Sequence, residues 1–293
     1  MNLKNFVEII LRGISQVFLL NNAITGILFL IGIFYNSWMM GTGAVIGVFV
    51  GTLTALFLKY YRSDINQGLY GYNGTLVGLA IVYFFGFNTP SVIAIFFGSI
   101  LSSILMRVMS IRGMPPYTAP FIISTWIALS LLIKLSIIPL QMTQSPDADA
   151  LKIIPAVSKG IGQVMFQGDT VTGIAFFIGL LISSRISALY ALLGSVLGVI
   201  VAFALSFPLA MINIGLFSFN GVLCGIAFSH KKWNSIILAI VSTVISIFMT
   251  YGIINLGIIG LTSPFVISTW LVLLFNTKIK SIFYRRFEER KYP

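Results

Sequence analysis

The second half of this chain repeats the first at a nearly constant spacing. The sequence GISQVFLLNNAITGILFLIGI begins at Gly13, and GIGQVMFQGDTVTGIAFFIGL begins at Gly160. Ten of the 21 aligned positions are identical. At the same spacing of 147 residues, YGYNGTLVGLA from Tyr70 aligns with FSFNGVLCGIA from Phe217. A fixed spacing shared by separate segments indicates an internal duplication.

A third repeated phrase extends the duplication to the end of each half. YTAPFIISTW begins at Tyr117 and recurs as LTSPFVISTW from Leu261, a spacing of 144 residues. We therefore divide the chain into two repeats, residues 1–145 and residues 146–293.

The composition places both repeats in a membrane. Of the 293 residues, 58% are hydrophobic and 9% are charged, whereas about a quarter of the residues are charged in a water-soluble domain. Apolar runs approach the length of about 17–25 residues that spans a bilayer core, and early examples begin at Ile24 and Val45. We predict an all-α polytopic membrane protein.

Each repeat contains five apolar runs, and this odd number predicts that the repeats are inverted relative to each other. The runs lie near residues 22–37, 41–58, 74–87, 91–108 and 119–138, and near 170–184, 187–206, 216–229, 234–254 and 263–276. With both termini in the cytoplasm, 15 of the 18 basic residues fall on the cytoplasmic side, as the positive-inside rule requires. The three exceptions are Lys134, Lys152 and Lys159.

The N-terminal segment MNLKNFVEIILRG does not have the pattern of a cleavable signal peptide. We expect it to form a short amphipathic helix at the membrane surface.

Several function classes are disfavoured. The net charge of +11 is spread over loops and the C-terminus, so it indicates membrane topology and not nucleic-acid binding. The single Cys224 excludes an intrachain disulfide and a cysteine metal cluster. No acidic residue lies in the middle of an apolar run, and the one histidine, His230, lies in an inner loop. We therefore expect no enzyme activity, no cofactor and no metal.

Corresponding apolar runs are interrupted in both repeats, which predicts re-entrant half-helices around a central pore. Glycines surround Asn73, prolines lie on both sides of Thr118, and Pro264 follows Thr262. Polar residues recur in these segments as three pairs: Gln16 with Gln163, Asn73 with Asn220, and Thr118 with Thr262. One interpretation is hydrogen bonding between packed helices; the other, which three paired positions favour, is a solute pathway.

Amide, hydroxyl and carbonyl oxygens between flat apolar walls suit a small, planar, neutral solute rich in N–H groups. Urea and short amides fit this description, whereas ammonia and water fit it in part. An ammonia or water channel is one alternative, and an ion-coupled transporter of a small neutral solute is another. Both are weaker, because no histidine or carboxylate is predicted inside the membrane.

These motifs together resemble the urea transporter family: GLYGYNGTLVG, the Thr-x-Pro-Phe phrase in both halves, and the Gln-Val segments. The resemblance implies two inverted five-helix halves with re-entrant helices and one channel-type urea pore per subunit. It also implies a homotrimer around a lipid-filled axis, and we expect it in a bacterial inner membrane.

The resemblance also implies the residues that line the narrow filter. They are Gln16, Leu19, Tyr72, Leu76 and Thr118 in the first repeat, and Gln163, Phe166, Phe219, Leu223 and Thr262 in the second. Leu19 and Tyr72 stand where the family usually has phenylalanine. This departure predicts a slot that is wider or tuned for another amide.

Overall fold

The structure is a computed structural model that describes residues 2–141, 148–231 and 233–289, with side chains up to residue 276. Within these residues there are fourteen α-helices, two short 3₁₀ turns and no strands. The predicted all-helical fold class is therefore confirmed. The predicted boundary between residues 145 and 146 lies outside the described ranges.

The order of the helices repeats. The first seven are α1 (Leu3–Ser15), α2 (Ala23–Asn36), α3 (Trp38–Phe57), α4 (Arg62–Asn66), α5 (Tyr72–Phe85), α6 (Thr89–Ile111) and α7 (Ala119–Lys134). The second seven are α8 (Ile153–Gly162), α9 (Thr170–Ser183), α10 (Arg185–Ala204), α11 (Leu209–Asn213), α12 (Phe219–Ala227), α13 (Trp233–Asn255) and α14 (Ser263–Glu289). A 3₁₀ turn follows α1 and α8 at Gln16–Phe18 and Gln163–Met165.

Four helices among the described residues are long and apolar enough to cross a membrane alone: α3, α6, α10 and α13. Two further spans are possible if each bent pair counts as one, because α1 turns into α2 by 75° and α8 turns into α9 by 73°. The helices α5, α7 and the part of α14 up to Asn276 are apolar but shorter. Some of the predicted apolar runs therefore form helices shorter than a membrane span, as the glycine and proline interruptions predicted.

The N-terminal helix differs from its prediction as a surface helix. The first part of α1 is exposed, but Ile9, Ile10 and Ile14 in its second part are buried in the protein core. The helix is amphipathic because one face packs against the protein. The chain then bends and restarts as α2, where the Asn22 side chain accepts a hydrogen bond from the Thr25 amide (3.1 Å).

Contacts between the two halves are reciprocal. The Thr25 hydroxyl of α2 donates to the Gly179 carbonyl of α9 (3.0 Å). The Thr172 hydroxyl of α9 donates to the Gly32 carbonyl of α2 (3.4 Å). Thr25 and Thr172 are 147 residues apart in the sequence, and so are Gly32 and Gly179. Such exchange of equivalent contacts is the pattern that a two-fold relation produces.

Close glycine contacts hold the short helix α5 against the long helix α3. A Cβ atom added to Gly47 would lie 2.0 Å from the Gly74 carbonyl oxygen. The second half repeats this contact between α10 and α12, where a Cβ atom on Gly194 would lie 2.0 Å from the Gly221 oxygen. Small residues of this kind let helix backbones approach closely in membranes, and here they position the half-helices.

Candidate functional site

The centre of the candidate site is the meeting point of two helix starts from opposite halves. Thr118 immediately precedes α7, and Thr262 immediately precedes α14. Their hydroxyl oxygens lie 2.7 Å apart and form a hydrogen bond in which either can donate. Both side chains are buried. Two residues that are 144 positions apart in the chain therefore share one hydrogen bond.

Asparagine side chains from the neighbouring half-helices satisfy the first amides of α7 and α14. The Asn73 amide oxygen accepts a hydrogen bond from Phe121 N (3.1 Å), and the Asn220 oxygen accepts one from Phe265 N (3.3 Å). The first amides of a helix have no partner within the helix. The predicted Asn73–Asn220 pair thus holds the half-helices together.

The electrostatic potential at this point follows from the backbone. The starts of α7 and α14 meet here, and a helix start carries a partial positive charge. Their capping asparagines lie next to the first residues of α5 and α12, Tyr72 and Phe219, so two further helix starts are close. No acidic residue occurs in α5, α7, α12 or the part of α14 at 263–276. The site is therefore unfavourable for cations and polar enough for neutral hydrogen-bonding groups.

The chain bends sharply at Leu19 and Phe166, which follow the two 3₁₀ turns. Both have left-handed backbone conformations, with φ of 57° and 60°. Their amides donate to the carbonyls of Gln16 (2.9 Å) and Gln163 (3.0 Å). Left-handed residues other than glycine are uncommon, so their equivalent occurrence in both halves marks a specified turn.

The two predicted glutamines have different surroundings. The Gln16 side chain is buried and donates from Nε2 to the Gln67 carbonyl (3.0 Å), which orients its amide. Gln163 is half-buried, and no described residue forms a side-chain hydrogen bond with it. Because an amide oxygen has two lone pairs, both side chains can present an acceptor.

The six predicted wall residues belong to one hydrophobic cluster of the protein. Leu76, Leu223 and Tyr72 are buried, and the other three, Leu19, Phe166 and Phe219, are half-buried. Each repeat thus contributes both buried and half-buried residues to the predicted wall set.

Aromatic contacts extend the wall around Phe166. Its ring centroid lies 5.4 Å from that of Tyr83, 6.2 Å from that of Phe84 and 6.3 Å from that of Phe121. The contact with Phe121 connects the second-half turn to the start of α7. Packing thus places Phe166 against the first turn of α7.

Two charged side chains, Arg12 and Arg107, pair with residues other than the threonines and the predicted wall residues. Arg12 forms an ion pair with Glu8 (3.5 Å) on α1. The Arg107 guanidinium lies 3.9 Å from the ring centroid of Tyr61. Burial raises the pKa of the neighbouring Tyr60 above its ordinary value, and Arg107 opposes this shift. Neither of these arginine contacts involves the threonine pair or a predicted wall residue.

The described residues contain no group of three or more His, Cys, Asp or Glu side chains that could hold a metal ion. Cys224 is buried on α12, with its sulfur 3.4 Å from the Ser268 hydroxyl.

Comparison with known proteins decides the family. The sequence model of the family described as Urea transporter matches residues 7–277. Urea transporter 1 of Ovis aries is 33% identical, over 98% of this chain and 82% of the relative. Urea transporter 1 of Mus musculus is 33% identical, over 95% of this chain and 79% of the relative.

The chain belongs to the urea transporter family. The resemblance drawn from the repeated motifs is therefore confirmed over nearly the whole chain.

Sequence reasoning did not single out two further residues that matter for the geometry of this urea transporter family member. Tyr117 and Leu261 directly precede the threonines, and both have left-handed conformations, with φ of 44° and 49°. The Tyr72 hydroxyl donates a hydrogen bond to the Tyr117 carbonyl. The signal that could have found them is the repeated phrase itself, because each of its two copies begins at one of these residues.

Proposed function

We propose that this chain is a passive urea channel in which urea passes beside the Thr118–Thr262 pair. Membership of the urea transporter family identifies a transport protein and not an enzyme, and urea transport across the membrane is the activity that follows. The observation that carries the channel proposal is the position of the pair: two buried hydroxyls, 2.7 Å apart, at the start of two half-helices from opposite repeats.

The hydrogen-bonding capacity of the pair matches urea. When one threonine hydroxyl donates to the other, one hydroxyl proton and three oxygen lone pairs remain. Urea is planar, with four N–H donors and one carbonyl acceptor. The remaining proton can bind the urea carbonyl, while the lone pairs accept from its N–H groups. The amide oxygens of Gln16 and Gln163 are further acceptors in the proposed pathway.

The walls supply the second part of the selectivity. Leu76 and Leu223 are fully buried, with 0% of their surface accessible, so the constriction admits a flat solute only when side chains move slightly. Such motions of side chains are fast compared with transport. A hydrated ion would lose its water there without replacement by charged groups. The proposed slot therefore favours a thin, neutral molecule.

The membrane arrangement is part of the same proposal. Residues 1–145 and 146–293 form inverted repeats that share one pore, and both termini face the cytoplasm. Reciprocal contacts such as Thr25 to Gly179 and Thr172 to Gly32 support the two-fold relation, and the distribution of basic residues supports the orientation. We place the channel in a bacterial inner membrane as a homotrimer around a lipid-filled axis.

Light scattering in a stopped-flow instrument tests the function. Purified protein in liposomes should accelerate urea equilibration far above that of empty liposomes, with formamide also conducted and with no dependence on sodium or proton gradients. Urea flux equal to that of empty liposomes would refute the proposal. A strict requirement for an ion gradient would favour a coupled transporter, and faster ammonia or water flux without urea flux would favour the other alternative.

A further inference from the structure

The backbone carbonyls that precede the two half-helices are paired almost identically in both repeats. At the first position, the Pro115 carbonyl accepts a hydrogen bond from the indole of Trp270 (2.9 Å). Its counterpart, the Ile259 carbonyl, accepts one from the indole of Trp126 (2.7 Å). The two bonds exchange equivalent residues between the halves.

The second position is equivalent in its backbone hydrogen bonds. The Pro116 carbonyl accepts from the Ala119 amide (3.0 Å), and the Gly260 carbonyl accepts from the Ser263 amide (3.0 Å). The Ser263 hydroxyl also donates to the Gly260 carbonyl (2.7 Å). The carbonyls at these two positions therefore have hydrogen-bond partners within the protein in both repeats.

At the third position, the carbonyl has a hydrogen-bond partner within the described part of the chain in one repeat only. The Tyr117 carbonyl accepts a hydrogen bond from the Tyr72 hydroxyl. The residue equivalent to Tyr72 in the second repeat is Phe219, which has no hydroxyl. No described residue donates a hydrogen bond to the Leu261 carbonyl.

The two carbonyls occupy equivalent places beside the threonine pair. Tyr117 and Leu261 share the left-handed conformation, with φ of 44° and 49°, and each directly precedes one of the bonded threonines, Thr118 and Thr262. A carbonyl oxygen has two lone pairs. One lone pair of the Tyr117 oxygen is occupied by the phenol, whereas both lone pairs of the Leu261 oxygen remain.

We propose that Tyr72 is a positioning residue for solute binding. It makes the Tyr117 and Leu261 carbonyls, on the two sides of the threonine pair, unequal as acceptors. By occupying one lone pair of the Tyr117 carbonyl, it leaves the Leu261 carbonyl as the stronger main-chain acceptor for a solute N–H group. This inference rests on the proposed function, because it assigns a role within the urea pathway. It also gives a physical consequence to the departure at Tyr72, where the family usually has phenylalanine.

The two repeats provide matched variants. Tyr72→Phe gives the first repeat the side chain of the second and frees the Tyr117 carbonyl. Phe219→Tyr gives the second repeat the side chain of the first and places a hydroxyl near the Leu261 carbonyl. The double variant Tyr72→Phe/Phe219→Tyr exchanges the two sides.

The experiment measures urea flux in liposomes as a function of urea concentration, together with the thermal midpoint of each protein. Tyr72→Phe should lower the half-saturation concentration about two- to tenfold, the effect of one net hydrogen bond. Phe219→Tyr should raise it about as much, and the double variant should return to within about twofold of the wild type.

Several results would overturn the inference. If the half-saturation concentrations of Tyr72→Phe and Phe219→Tyr shift in the same direction, the inference is contradicted. A lower thermal midpoint for Tyr72→Phe with unchanged half-saturation would mean that the phenol only supports the fold. If Tyr72→Phe fails to fold, the rise predicted for Phe219→Tyr still decides the matter. If the wild-type protein conducts no urea, the proposed function is refuted and this inference with it. If the wild type conducts urea but the variants have its half-saturation concentration, only the inference is refuted.

Discussion

At the residue scale, the proposed function gives the threonine pair two roles, one toward the protein and one toward the solute. Each hydroxyl satisfies the other inside the protein, at an oxygen–oxygen distance of 2.7 Å. Together they still keep one proton and three lone pairs for a solute. The sequence predicts that Thr118 and Thr262 are equivalent, but their direct bond depends on how the two halves pack and leaves no trace in the pattern of residues.

Replacing either threonine by valine should slow urea flux without preventing folding. Valine keeps the shape but removes the hydroxyl and leaves its partner unsatisfied, at a cost of about 1–3 kcal/mol. We expect Thr118→Val and Thr262→Val each to reduce flux by roughly one to two orders of magnitude. Serine at either position should retain much of the flux, because it keeps the hydroxyl.

Thr25→Val is a matched control for this prediction. Thr25 is also buried and also forms a hydrogen bond between the halves, to the Gly179 carbonyl. The control should lower stability without slowing the flux of folded protein. Wild-type flux through both Thr118→Val and Thr262→Val would show that the threonines only begin helices.

At the element scale, the site depends on half-helices that are held at a fixed depth. Glycine and proline interruptions predict the short helices α5, α7 and α12, because these residues disturb helices by known mechanisms. The left-handed turns at Leu19 and Phe166 could not be predicted in this way. Neither residue favours that conformation, so the tertiary packing of the two halves determines it.

Gly47→Ala should destabilise the protein by about 1–3 kcal/mol, because overpacked interiors must shift. The new methyl group would lie 2.0 Å from the Gly74 oxygen and would push α5 away from α3. Urea flux per folded protein should fall as well, since α5 carries Tyr72 and Leu76. Thermal unfolding in detergent and flux in liposomes measure the two effects.

Gly252→Ala is the control, because a Cβ atom at Gly252 in α13 would meet nothing within 4 Å. Alanine favours helix more than glycine does, so this variant should be neutral or slightly stabilised. Equal effects of Gly47→Ala and Gly252→Ala would contradict the role given to the close glycine contact.

At the scale of the whole molecule, the duplication was visible in the sequence because three segments kept nearly one spacing. Their reciprocal contacts, by contrast, required the structure. The odd number of apolar runs in each half predicts inversion, and the reciprocal bonds Thr25 to Gly179 and Thr172 to Gly32 accord with it. Subunit assembly leaves no comparable pattern in a single membrane chain, because lipid-facing and subunit-facing surfaces are both apolar.

The proposed trimer makes a prediction for the mass of the purified protein. Native mass spectrometry in mild detergent should find three chains of 32.1 kDa each. A monomer that conducts urea as fast per chain as the assembled protein would show that each chain contains a complete pore and that the trimer is not needed for transport. A stable dimer or tetramer as the main species would contradict the proposed assembly.

The central claim is that a planar neutral solute passes through a site where helix starts meet and no carboxylate lies nearby. Guanidinium tests this claim directly, because it has nearly the shape of urea but carries a positive charge. Uptake of labelled urea and labelled guanidinium should be compared in liposomes whose membrane potential is held at zero. The proposed site predicts rapid urea uptake and guanidinium uptake no faster than in empty liposomes. Guanidinium uptake at a rate comparable to that of urea, or no protein-dependent urea uptake, would contradict it.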